Sequence, residues 1–143
     1  MIPCVVIRKE TVEATLAQPK SSGKHLLEPL KSLAASNALP FNILEDCEVT
    51  SNDAEVHEYE GDLWLCLQGE VRFTIDGELI DPKTRMQPDG SPKKGELYAE
   101  HIKGGNEIVL SSGDWLWVPP GQPHQHTCAD VGRLVIIKVP KCV

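Results

Sequence analysis

The sequence predicts an all-β protein, a sandwich or barrel of short strands, with a short helix before it. Three observations lead there. After Pro40 the chain breaks into short runs rich in β-branched and aromatic residues. Turn dipeptides separate them at Gly69-Glu70, Asp76-Gly77, Gly104-Gly105, Ser112-Gly113 and Pro120-Gly121. Within the first forty residues, "LLEPLKSLAA" has apolar residues at helical spacing.

In chain order, residues 4–8 read as a short β-branched strand and residues 18–24 as a loop. Leu26, Leu27, Leu30 and Leu33 line one side of a helix over residues 26–35, with Pro29 tolerated only in its first turn. Strands are expected at 41–45, 54–59, 63–67, 71–75, 96–102, 107–110, 114–118, 124–128 and 133–139. The stretch "DPKTRMQPDGSPKKG" (81–95) has three prolines and reads as a mobile loop, a candidate lid. The expected division is an N-terminal extension over 1–40, packed on a barrel over 41–143.

Strand parity says more. Asp62, Trp64 and Cys66 share one face of their strand and Leu63, Leu65 and Leu67 the other. Apolar groups on both faces mean that both are covered, one by the barrel and one by a second sheet or another subunit. A homodimer is the expectation.

At 143 residues the chain is one domain's length, and 24% charged with 41% hydrophobic residues it is globular in composition. A net charge of −7 argues against nucleic acid or an anionic membrane as partner. No apolar run approaches the roughly 20 residues that span a bilayer, and the N-terminus lacks the charge order of a secretory signal. Five widely spaced cysteines without a CxxC point to buried reduced thiols and a cytoplasmic protein.

Two segments stand out chemically. In "EVHEYEGDLWLCLQG" (55–69), His57 is followed after four residues by Asp62 and after six more by Gly69. In "GDWLWVPPGQPHQH" (113–126), Gly113, Pro119, Gly121 and His124 follow a G-x5-P-x-G-x2-H spacing. A turn leads into the strand, a rigid proline-glycine connection leaves it, and His124 opens the next strand. The plainer readings are an acidic solvated hairpin around His57, a turn-capping Asp62 and a strand histidine bonded to backbone.

Together the segments resemble the two motifs of the cupin superfamily, G-x5-H-x-H-x3,4-E-x6-G and G-x5-P-x-G-x2-H-x3-N, across residues 49–128. Cupins are double-stranded β-helix (jelly-roll) barrels. The second motif matches up to His124. In the first, Val49 stands at the leading Gly, Glu55 at the first His and Asp62 at the Glu, and Cys128 stands at the closing Asn of the second.

The resemblance implies His57, Asp62 and His124 as metal ligands, with Glu55 a fourth candidate. Two histidines and a carboxylate leave open positions, an arrangement typical of non-haem Fe(II), although Mn(II), Ni(II) or Zn(II) suits the same donors. The 3-hydroxyanthranilate 3,4-dioxygenase group is similar in lacking the first His, with one more residue between its His and carboxylate.

Trp64, Cys66 and Trp117 are the candidate substrate-pocket residues, and His126 and Glu55 the candidate proton carriers. The expected function is a mononuclear iron dioxygenase-type enzyme acting on a small organic molecule. The alternatives are a non-redox metal-dependent isomerase or lyase and a non-catalytic small-molecule binding cupin, because a fold does not select a reaction.

Overall fold

The computed structural model describes residues 1–142, so Val143, the last residue of the expected barrel, lies outside the described residues. The strands are β1 (Gly23–Leu26), β2 (Phe41–Val49), β3 (Ala54–His57), β4 (Glu60–Gln68), β5 (Glu70–Ile75), β6 (Glu78–Leu79), β7 (Lys83–Met86), β8 (Pro92–Ala99), β9 (Ile102–Lys103), β10 (Asn106–Ser111), β11 (Trp115–Val118) and β12 (His124–Pro140). Two helices are described, α1 (Lys9–Leu16) and α2 (Leu30–Asn37).

The long strand β12 organises the barrel. Its first four residues pair with β5 and β3, and its later part pairs with β2 and β4. A register shift between Cys128 and Val131 bends it from one sheet into the other. One sheet therefore runs β1-β2-β12-β4-β11 and the facing one β10-β5-β12-β3-β8-β7, all antiparallel. This is a jelly-roll arrangement. Between the sheets lies a core that includes Trp64, Val71, Phe73, Leu110, Leu134 and Ile136. Gly69 makes the β4–β5 turn at φ +74°, where an added Cβ would lie 2.0 Å from the Val131 carbonyl oxygen.

The N-terminal region differs from expectation. Residues 1–8 form no strand, because nothing pairs with them, and α1 follows directly. Ile7, Val12 and Leu16 pack against Leu27, Leu30 and Ile43, so the apolar spacing in this stretch serves a helix that covers the sheet. The expected helix over 26–35 is split. Leu26 ends strand β1 on the edge of β2, and the helix begins at Leu30, with Pro29 as its N-cap residue. The Thr15 hydroxyl donates to the Thr11 carbonyl at 2.8 Å and accepts the Leu30 N–H at 3.3 Å, joining the two helices.

The 81–95 stretch is also different. Its prolines sit at Pro82, Pro88 and Pro92, outside or at the very start of strands, which leaves β7 free to pair with β8. Cys47, Cys66 and Cys128 are buried thiols, but Cys4 and Cys142 are exposed. Among the described residues no helix is long and apolar enough to cross a membrane.

Candidate metal centre

The site grows out of strand register. On β3, Glu55 and His57 point the same way, as alternate residues must. Glu55 is directly opposite His124 of β12, and His57 is opposite Glu96 of β8. Across the barrel, Asp62 of β4 is opposite Lys138 of β12. The proline-glycine turn docks on the same place, since the Gly121 N–H donates to the His57 carbonyl at 2.8 Å.

Donor atoms of four side chains lie near one another there. Asp62 Oδ2 lies 3.5 Å from His57 Nε2 and 3.2 Å from His124 Nε2, and Glu55 Oε2 lies 3.6 Å from His57 Nε2. One ligand atom each from Glu55, His57 and His124 lie within 4.8 Å of one another. In every case the opposite polar atom of the side chain is tied elsewhere. His57 Nδ1 bonds Glu96 Oε2 at 2.6 Å, and His124 Nδ1 approaches the Gln122 carbonyl at 3.3 Å. Lys138 donates to Asp62 Oδ1 at 2.7 Å, and Arg85 donates to Glu55 Oε1 at 2.9 Å. Each imidazole can thus keep its proton on Nδ1 and turn an Nε2 lone pair inward, the orientation that outer carboxylates and carbonyls impose on metal-binding histidines.

The donors fit a divalent ion. Ligand atoms about 2.1 Å from one centre sit roughly 3.0–3.5 Å apart when adjacent, close to the separations found. Asp62 is only 1% exposed, yet its Oδ2 has no hydrogen-bond partner. A buried orphan oxygen facing two imidazole nitrogens calls for a cation or proton between them. Burial alone would raise the Asp62 pKa; the His124 and His57 imidazoles beside it and the Lys138 ammonium outweigh it and hold the carboxyl well below the usual range. Burial likewise opposes ionisation of Glu55, but the charges of Lys24, His57, His124 and Arg85 lower its pKa. For His57, burial disfavours the proton, while Asp62 and Glu96 raise the pKa overall.

The barrel fold around this site has known counterparts. A solved oxalate oxidase superposes with a TM-score of 0.51 at 14% identity, over 88% of this chain and 57% of that one. The fold is that of the cupins. A cupin protein from Bacteroides fragilis aligns at 17% identity (TM-score 0.49, 86% of this chain and 80% of that one). The cupin domain of Drosophila melanogaster CENP-C aligns at 12% identity (TM-score 0.48, 72% and 58%). This chain thus spans less than two thirds of the oxalate oxidase and the Drosophila chain. No protein-family model and no curated protein matches the sequence.

Within this barrel, His57, Asp62, His124 and Glu55 stand together, Trp64 and His126 lie beside them, and Cys66 and Trp117 lie elsewhere. Trp64 borders a cavity of about 260 Å³ that also reaches Glu55 and Asp62. Cys66 does not line it; two residues further along the same face it is fully buried, with its thiol directed at the Gln68 and Gly69 carbonyls. Trp117 lies outside the barrel. The register sets Val118 against Asp62 and Leu116 against Trp64, so Trp115 and Trp117 must face outward, where they are 59% and 46% exposed. Trp117 instead covers Gly61.

His126 lines the cavity but is not one of the converging donors. Its Nδ1 pairs with Asp46 Oδ2 at 2.5 Å, and its Nε2 is 3.5 Å from the Asn52 amide. Sequence reasoning missed Asp46, Glu96, Arg85 and Lys138, the residues that orient the site. Only Lys138 had a usable clue, a charge within the apolar run 134–139; the others become visible in the folded chain.

Proposed function

We propose that this protein is a metal-dependent enzyme of the cupin type acting on a small organic molecule, with mononuclear non-haem Fe(II) oxygen chemistry as its reaction class. The observation that carries the reading is the double anchoring: Glu55, His57 and His124 form one compact donor group with Asp62 set against both imidazoles, and each is held from behind by a separate partner. Preorganisation of this kind separates a coordination site from a chance cluster of charges.

His57 Nε2, His124 Nε2 and Asp62 Oδ2 would hold the ion, with Glu55 Oε2 as a fourth donor. Bound there, Fe(II) would supply positions where an organic substrate and oxygen meet. The chain's own residues do the rest. Glu96 and the Gln122 carbonyl fix the two imidazoles, and Lys138 keeps one Asp62 oxygen inward. Arg85 holds Glu55, which can take up a substrate proton when it is not bound to the ion. Trp64, backed edge-on by Phe73 and His126, forms a rigid wall beside the site. The buried Asp46–His126 pair fixes that wall from behind and makes His126 a positioning residue. The likeness to an oxalate oxidase supports a barrel compatible with oxygen chemistry, and the donor set supports the metal.

The test is metal analysis of protein purified without added metal, followed by oxygen-electrode assays of iron-loaded protein with catechol, aminophenol, diketone and 2-oxo acid substrates. About one equivalent of divalent metal, lost in His124→Ala, together with substrate-dependent oxygen uptake is the expected result. Absence of metal binding at any pH between 6 and 8 would overturn the reading.

A further inference from the structure

We propose that the cavity beside the donor cluster recognises a small organic carboxylate with an apolar body, and that Lys24 is the residue that reads its charge. The inference rests on the metal reading above and adds the substrate class.

Buried polar atoms without partners are rare in folded proteins and mark places where a ligand completes the bonding. Among the described residues, four side-chain atoms have this property: Asn42 Oδ1, Asp46 Oδ1, Asp62 Oδ2 and Trp64 Nε1. Asn42, Asp62 and Trp64 all line the 260 Å³ cavity, and Asp46 is bonded to His126, which lines it too. The residues that carry these atoms therefore stand around one space; the three oxygens are acceptors, which a bound cation or donor completes. Its apolar walls come from Leu26, Leu39, Phe41, Leu44 and Ile136. A few polar groups set in an apolar lining is the make-up of a small-molecule site, and the volume suits a molecule of about half a dozen to a dozen heavy atoms.

Charge selects the class. The chain is acidic overall at −7, yet Lys24 and Lys138 both reach this cavity, opposite the carboxylates Glu55 and Asp62. Among the residues that line the cavity two cations stand against two anions, so a divalent ion at the donor cluster adds positive charge beside Lys24. Lys138 is committed to Asp62 and, more distantly, Glu60. Lys24 makes no ion pair among the described residues, and it stands on β1 at the cavity's edge. A carboxylate placed between the Lys24 ammonium and the metal centre pairs with both positive charges, and the apolar body lies against the leucines.

The experiment uses full-length protein loaded with redox-inert Zn(II), so that nothing turns over. Butanoate, 4-methylpentanoate and phenylacetate are each titrated by calorimetry against the matching amide. At least one acid should bind about tenfold tighter than its amide. Lys24→Met, which keeps the apolar stem, should reduce that acid's affinity about five- to tenfold, as expected for a partly exposed charge, and leave the amide unchanged. Lys24→Arg should restore the preference. Zinc stoichiometry in all variants separates the two readings. Wild type that binds zinc but shows no acid preference overturns the carboxylate proposal alone. Wild type that binds no zinc overturns the metal reading, and the same titrations on zinc-free protein then decide this one: a preference that depends on Lys24 upholds it, and equal affinities or no binding of any acid overturn it.

Discussion

Replacing Glu96 with alanine removes the acceptor behind His57 Nδ1 and leaves all four inward-facing donors in place. The His57–Glu96 bond is 2.6 Å long, and both side chains are largely buried, at 12% and 15% exposure, so solvent does not readily replace it. Losing such an outer partner typically costs about 10–100-fold in metal affinity, equivalent to about 1.4–2.7 kcal/mol. The nearby Lys93–Glu96 pair, at 3.6 Å with an exposed lysine, adds little. The β3–β8 pairing uses backbone groups, so the fold should survive. Competition with a fluorescent zinc chelator measures the affinity, and thermal unfolding of the metal-free protein checks the fold. Glu96→Gln should fall between wild type and alanine, because it keeps an acceptor but loses the charge. In a His57→Ala background the Glu96→Ala effect should vanish, since the carboxylate acts through that ring alone. Wild-type affinity in Glu96→Ala, or an undiminished loss without His57, refutes the reasoning.

Other outcomes follow from the same geometry. Asp62→Asn keeps the shape but gives up the buried anion facing both imidazoles, and metal affinity should fall by more than about a hundredfold, read by the same competition assay. Gly61→Ala would put a Cβ 2.2 Å from the Trp117 ring; because that ring is half-exposed it can swing away, so a loss of about 1 kcal/mol is expected in urea unfolding, and Trp117→Ala should relieve it. Glu45→Gln should cost about 3–5 kcal/mol, seen as a large drop in Tm. Fully buried Glu45 pairs with Arg133 at 2.7 Å, and Arg133 also donates to the Leu16 and Gln18 carbonyls at the end of α1. An unchanged Tm in Glu45→Gln would mean that this buried charge pair contributes nothing to holding α1 on the barrel.

Much of the molecule could be read from residue order alone, because the relevant physics is local. Turn dipeptides and period-two alternation marked most strands, and the proline-glycine connection marked the residue it delivers, His124. Parity grouped Asp62 and Trp64 on one face of β4, and in the folded chain that face is the inner one. The same parity rule, applied across the β4–β11 pairing, turns Trp117 outward, but that pairing is a long-range fact which no local pattern supplies. Cys66 failed for a related reason: sharing a face with the pocket residues does not give the depth at which the core closes over it.

The identities of the donor side chains, their spacing and the grouping of Asp62 with Trp64 on one face of β4 were thus determined by the chain's own order. Which partners hold them was decided only when β12 bent between two sheets, bringing Lys138 to Asp62 and His124 to Glu55, while β8 carried Glu96 to His57. Register between strands distant in sequence depends on the packing of both faces at once. For that reason Glu96, Arg85 and Asp46 are ordinary charges in the sequence and become parts of a site only in three dimensions.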